Sequence, residues 1–558
     1  MKFRFRLNTF LLIFIFIFGF GFSVGFSDEK TNQVDALFAQ WDKSDSPGCA
    51  LAVFQNGKII YNRGYGMANL ELDIPISPQS VFYIGSVSKQ FVSACIGLLA
   101  LQGKLSLDDN IRKYVPEIPE YDSPITIRHL IYHTSGMRDY LTLLGIAGID
   151  FGTYHEQDIL DLLARQKELN FSPGEEHLYS NSGYFMLSVI VERASGKTLR
   201  EFADEFIFKP LGMNHSHFHD DYTQLIKNRA MGYFPAGKGQ FRNFISTFDN
   251  VGSGGLFTSI EDLFLWDQNF YSYKVGGQKL NGLMHTKGQL NNGVELDYAF
   301  ALDIGSYKGL KVIEHGGALG GYRSALTRFP EQNFSVAILS NLSSVNPSSL
   351  AYRVADIYLA DYYQEERTEI GTEQLTAIEL PEKILKEKEG YFINPDSGAY
   401  YRIRLVKGQL QFSGMGQSLT LGAISEDEFF VTGISQVIIL KFKKDEGGQA
   451  LTLEISQEDS PLLRYKSFEP LRPSTEEFKE YIGEYSSDEL DTTFKIELIK
   501  NRLRFTHRNA PQGTLQTNYK DIFRIGNLRL MFSRDESGQI DSITVNAGRV
   551  TNLRFYKK

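Results

Sequence analysis

In the stretch VFYIGSVSKQF, Ser86 and Lys89 stand three residues apart, where an apolar, strand-like run ends in Gly85 and a helical pattern begins. At that spacing the two side chains share one face of a helix. A serine hydroxyl is a weak nucleophile until a base takes its proton, and a lysine held near neutral by burial and neighbouring charge can take it. The helix N-terminus adds a field favourable to developing negative charge. The Ser-x-x-Lys pattern is short, and Ser27 to Lys30 also satisfies it; only Ser86 stands at a strand-to-helix junction. Two further stretches carry polar groups where elements meet. In SPGEEHLYSNSGYF, Tyr179 and Asn181 precede an apolar helical run. In KVIEHGGALGGYR, His315, Gly316, Gly317 and Ala318 follow an apolar strand, and glycines there admit the close approach of another group. Taken alone, each of these two is ordinary turn or cap chemistry.

Together, SVSK at Ser86, YSN at Tyr179 and HGG at His315 resemble, in order and separation, the SxxK, YxN and KTG or HxG marks of the penicillin-recognising serine hydrolases. That family includes class C β-lactamases, DD-carboxypeptidases, related esterases and D-aminopeptidases. The resemblance spans about residues 30–365 and takes in IRHLIYHTSGM around His133, KPLGMNHS around Gly212 and GSGGLFTSIEDLFLW around Gly255. It implies a catalytic set of Ser86, Lys89 and Tyr179, with Ser86 attacking an acyl carbon and the other two sharing the general-base work. Asn181, His315, Gly316 and Gly317 are the implied substrate-orienting residues, and the backbone amides of Ser86 and Ala318 the implied oxyanion hole. No cofactor and no metal are expected. The departure from KTG bears on the substrate: a lysine there is a lasting positive charge suited to a carboxylate, whereas His315 is largely neutral near pH 7. Arg323 on the same stretch is an alternative cation.

These residues need elements to hold them. Asn56-Gly57 between apolar runs predicts a hairpin, the spacing of Val87, Phe91, Cys95, Ile96 and Leu99 predicts a helix over 86–101, and a short amphipathic helix is expected over 34–40. Another helical face runs through 349–363, and the charged ERTEIGTEQ that follows marks the end of the first domain. Beyond it the chain repeats itself. Gly390, Tyr401, Ile403, Leu405 and Leu410 answer Gly483, Phe494, Ile496, Leu498 and Leu503 at an offset of 93, and FKKDEGGQ answers FSRDESGQ. Short apolar runs between turn residues predict antiparallel strands, so two tandem barrels split near residue 472 are expected, with one large sandwich the alternative. The expected fold is thus α/β (α+β): a β-lactamase/transpeptidase-like domain with an antiparallel sheet flanked by helices over 28–365, then small lipocalin-like β-barrels over 380–470 and 473–558.

Residues 1–27 have the form of a secretory signal peptide: basic Lys2, Arg4 and Arg6, an apolar run from Phe10 to Phe22, then small residues. A periplasmic or secreted protein with no stable membrane span is expected, a retained anchor being the alternative. GFSVG over 21–25 matches a nucleophile-elbow pattern but lies in that leader. With 58 Lys plus Arg against 67 Asp plus Glu the net charge is −9, which lacks the basic excess that nucleic-acid binding calls for. Cys49 and Cys95 fit no zinc or redox pair and are expected as small core residues. His215, His217 and His219 alternate as zinc ligands on a strand could, which makes a metallohydrolase a rival, and His133 is expected to fix a turn.

One penicillin-recognising domain followed by two barrels is similar to the D-aminopeptidases of the family, in which a loop of the second barrel reaches the active site. The polar run from His507 to Gln516 is the candidate for that loop. The expected partner is a small peptide, amide or ester, and a homo-oligomer is possible. The leading reading is a D-stereospecific peptidase or amidase working through an acyl-enzyme. An esterase, β-lactamase or DD-carboxypeptidase of the same family is the alternative, as is a penicillin-recognising protein that binds without turnover.

Overall fold

A computed structural model describes residues 26–558, apart from 364–376, 433–436, 445–449, 458–461, 509–512 and the positions 150–151, 153, 246, 248, 396, 415–416 and 472. The leader expectation therefore lies outside the described residues except for Phe26 and Ser27, which open the helix Phe26–Phe38. That helix starts well before the expected 34–40. The charged 366–374 stretch also lies outside the described residues.

The N-terminal unit is built on a six-stranded antiparallel sheet, in the order Asp303–Tyr307, Leu310–Leu319, Tyr322–Phe329, Phe334–Ser340, Cys49–Gln55, Lys58–Tyr65. The inner strands CALAVFQ and FSVAILS are apolar on both faces because both faces are covered. Alternation along the first of them divides the core. Ala50, Ala52 and Phe54 join the layer holding the helices Lys89–Leu101 and Asn181–Ser195, while Cys49, Leu51 and Val53 pack against the helices Phe26–Phe38 and Pro347–Leu359. Cys49 and Cys95 consequently sit in different layers, both buried and both free. Asn56 and Gly57, with φ of 50° and 74°, make the expected hairpin turn. The expected helix over 86–101 is two elements: a 3₁₀ turn, Gly85–Ser88, runs into the α-helix Lys89–Leu101.

The repeat folds as two barrels whose equivalent strands share a register: Gly390 pairs with Ile403 as Gly483 does with Ile496, and Leu405 with Leu410 as Leu498 does with Leu503. The first is a closed eight-stranded barrel, its first strand Gly390–Ile393 pairing with its last, Leu463–Phe468. The second is a nine-stranded, nearly closed sheet that ends at Gly513–Thr514 on one side and Gln516–Tyr519 on the other. Among the described residues no helix is long and apolar enough to cross a membrane.

The second barrel docks on the N-terminal unit through Arg138. Its guanidinium meets Glu489 at 2.7 Å and donates to the carbonyls of Thr551 (3.0 Å) and Asn552 (2.9 Å). The two charged side chains are 0% and 7% exposed, so each depends on the other. Asn170 clamps the same hairpin, donating to the Arg549 carbonyl and accepting from the Thr551 amide. The first barrel attaches to the second through a turn: the Ser397 carbonyl accepts from Arg529 and the Tyr400 hydroxyl from Asn518.

Candidate active site

The segment that ends the short strand Phe82–Tyr83 turns sharply at Gly85, whose φ of 53° is one that L side chains rarely adopt, and presents Ser86 on the 3₁₀ turn. The strand Leu310–Leu319 passes so close that a Cβ on Gly317 would lie 2.1 Å from the Ile84 carbonyl oxygen, and one on Gly85 2.6 Å from the Ala318 amide nitrogen. Ser324 fastens the approach by donating to the Ile84 carbonyl at 2.6 Å. The turn carrying Ser86 and the strand carrying Ala318 are thereby held in backbone contact.

Lys89 is fully buried, and its Nζ makes three contacts: Ser86 Oγ at 3.0 Å, Asn181 Oδ1 at 3.0 Å and the Ser253 carbonyl. The orientation of Asn181 is fixed by Asp139, whose carboxylate accepts from both the Asn181 amide nitrogen Nδ2 (2.8 Å) and its backbone N–H (2.7 Å). A carboxylate accepts only, so Oδ1 must face Lys89. Burial pushes the Lys89 ammonium down to about 7; Asp139 acts upward and Arg549 downward. In the neutral amine two N–H groups serve the two carbonyl oxygens, and the remaining lone pair faces the Ser86 hydroxyl.

The Tyr179 hydroxyl is buried and meets hydrogen-bond geometry with no described group. Burial raises its pKa far above the ordinary phenol value, although the Ser86 hydroxyl acts in the lowering direction, so it stays protonated. His315 is also buried and is pushed down to about 4 by desolvation and by Lys89, which makes it a neutral ring.

A run of hydrogen bonds joins the Tyr179 segment to the His315 strand. The Ser180 N–H donates to His133 Nδ1 (3.1 Å), His133 Nε2 meets the Tyr298 hydroxyl (3.1 Å), that hydroxyl meets His315 Nε2 (3.3 Å), and His315 Nδ1 meets the Gly316 carbonyl (2.6 Å). His133 is thus the turn-fixing residue anticipated from sequence, and it anchors Leu178 through its own carbonyl as well.

Ser86, Tyr179, Asn181 and the His315–Ala318 strand all line one cavity of about 680 Å³, with Lys89 beneath it. Every residue singled out in the sequence as catalytic, orienting or oxyanion-binding is therefore assembled in one place. Arg323 lines the same cavity but spends a guanidinium nitrogen on the carbonyls of Gly320 and Tyr322. The three alternating histidines do not converge: His215 pairs with Asp262, while His217 and His219 meet each other at 3.2 Å.

Three participants carried no usable sequence signal. The Ser253 carbonyl is a backbone group. Asp139 works through Asn181. Arg549 comes from the hairpin turn of the second barrel, lies 4.6 Å over the Tyr179 ring and 4.0 Å from Asp139, and lines the cavity. Among the described residues, the barrel segment that reaches the site is the 547–550 turn. Of the run from His507 to Gln516, residues 509–512 lie outside the described residues, and His507 itself packs at Gly148.

The beta-lactamase family model matches residues 34–359. Penicillin-binding protein 4* of Bacillus subtilis strain 168 is 30% identical over 315 residues, which cover 54% of this chain and 69% of that protein. The D-aminopeptidase of Gluconobacter oxydans strain 621H is 26% identical over 471 residues, 84% of each chain, so the likeness runs on through the barrels. Among solved structures, the octameric penicillin-binding protein homologue from Pyrococcus abyssi superposes with a TM-score of 0.54 at 24% identity, covering 80% of this chain and all of that one. With a match that takes in more than half of its length, the chain belongs to the beta-lactamase family and is a serine hydrolase of that family.

Proposed function

We propose that the protein cleaves an acyl compound through a covalent intermediate on Ser86, and that its substrate is a short peptide or amide bearing a D-residue. The observation that carries the first part is the three-way hold on Lys89. With both its N–H groups committed to carbonyl oxygens, the neutral amine takes the Ser86 proton as Oγ bonds to the acyl carbon. The carbonyl oxygen becomes an anion between the Ser86 and Ala318 amides, where fixed donors need no reorganisation. Tyr179, a protonated hydroxyl beside Ser86, gives its proton to the departing nitrogen and regains one from Lys89. Water then attacks the ester, the same groups return their protons, and Ser86 is freed.

The D-residue preference is supported by the D-aminopeptidase likeness along most of the chain and by the shared plan of one hydrolase unit and two barrels. A neutral His315 in place of a lysine fits substrates without a carboxylate at that position. Esters are the second reading, favoured by the same neutral ring. Export to the periplasm or the medium is proposed from the basic and apolar pattern of residues 1–27.

The test is steady-state turnover of D-alanine and L-alanine p-nitroanilides and of p-nitrophenyl acetate, with Ser86→Ala alongside. Turnover of the D-anilide that vanishes in Ser86→Ala is expected, with the variant folded as the wild type. Acetate turnover alone makes the protein an esterase, and wild-type activity in Ser86→Ala sinks the nucleophile assignment.

A further inference from the structure

A second cavity, of about 390 Å³, opens between the hydrolase unit and the rim of the second barrel. On one side is the helix Tyr140–Ile146; on the other are Phe505 and two neighbouring hairpin turns, 525–528 and 547–550. Leu141, Asn181 and Arg549 line both this cavity and the one at Ser86, so the two adjoin at those side chains. The remaining wall is largely apolar: Ile146, Phe505, Ile525, Leu528 and Ala547. Of its polar members, Asn527 is exposed at the rim, while Asp139, Asn181 and Thr142 are satisfied among themselves, since Asp139 accepts from Asn181 and from the Thr142 amide and hydroxyl. They ask nothing of an occupant, and the walls reward apolar surface. Gly145 faces the space, and a Cβ built on it would meet no atom within 4 Å.

We infer that this interdomain cavity is a subsite of the reaction cavity, built to take an uncharged apolar chain attached to the scissile group, with the Arg549 guanidinium at its mouth. The inference rests on Ser86 being the reacting centre, because the cavity it adjoins is the one Ser86 lines. The barrel's role in it is to form one wall, so that substrate choice is written partly in the 525–528 and 547–550 turns. An apolar chain can enter from either side of the bond, as acyl group or as leaving group, and the two are separated experimentally.

The test is calorimetric titration of the full-length Ser86→Ala protein with octanamide, whose chain is on the acyl side, and with N-octylacetamide, whose chain is on the leaving side. Neither readout needs turnover. Binding of one of the two is expected, which identifies the side. Gly145→Leu, which fills the space without a clash, is expected to weaken that binding tenfold or more, while Gly282→Leu, at an equally open helical glycine outside both cavities, leaves it unchanged. Ile525→Ala enlarges the space and moves the preference to longer chains, which keeps the test informative where Gly145→Leu folds poorly. The inference is overturned when neither amide binds, or when whatever binding the parent shows is unchanged in Gly145→Leu. Loss of Ser86-dependent acetate turnover in the wild type bears on the catalytic reading and leaves these binding outcomes standing.

Discussion

The two barrels are copies in register, and each docks by the same corner. The turn after the first strand of the first barrel presents the Ser397 carbonyl to Arg529, and the equivalent turn of the second presents Glu489 to Arg138. In one case a half-buried arginine meets a neutral carbonyl, in the other a buried arginine meets a carboxylate within a sealed ion pair. The strands, whose apolar alternation defines the repeat, carry the fold in both copies. The turns, free of that constraint, carry the attachment and have diverged. One copy holds a neighbouring barrel, and the other brings Arg549 to the wall of the Ser86 cavity.

The most severe way to break this contrast is at Arg138. Removing one partner of a buried pair costs about 3–5 kcal/mol, so Arg138→Ala should lower the melting temperature sharply and take activity with it. An effect no larger than that of Arg529→Ala would show the two docks to be equivalent. Next come the matched core positions Leu410 and Leu503, both 1% exposed. Each Leu→Ala change should destabilise its own barrel by about 2–5 kcal/mol. Only Leu503→Ala should lower kcat/KM at temperatures below the transition, because only the second barrel bears Arg549. Arg529→Ala should cost about 1.5–3 kcal/mol, the range for a hydrogen bond from a charged group, with turnover unchanged.

The smallest effect sharpens the contrast rather than breaking it. If neutral Lys89 is the base, kcat/KM rises with pH through about 7. Arg549 holds the Lys89 ammonium down by like-charge repulsion, so in Arg549→Ala that limb should move to higher pH. A pH–rate profile that stays in place would show the barrel to be electrically silent at the site.

How much of this could be read in the sequence follows from how local each signal is. Ser86 and Lys89 are three residues apart, and their shared face is fixed by helical geometry alone. The barrels were legible because Gly390 and Gly483, or Leu405 and Leu498, recur with the same neighbours. Arg549 was not legible: NAGRV is an ordinary hairpin turn, and what makes it part of the site is the docking by Arg138, more than 400 residues earlier in the chain. The polar run from His507 to Gln516 is marked by composition alone, and its residues 509–512 lie outside the described residues. The 3₁₀ start at Gly85 was hidden for a related reason. The apolar spacing that marks the helix is the same whether its first turn is α or 3₁₀, and the strand at Ala318 that crowds Gly85 is remote in sequence.

The hydrogen-bonded run from Ser180 to Gly316 has a direction. An amide N–H at one end can only donate and a carbonyl at the other can only accept, so every link between them is forced the same way. His133 must carry its proton on Nε2 and His315 on Nδ1, which makes them opposite tautomers a few ångströms apart. No proton can travel along such a line without an end group doing what it is chemically unable to do. The two rings therefore serve as fixed struts between the Tyr179 segment and the His315 strand, each locked in one tautomer by what lies at its far end.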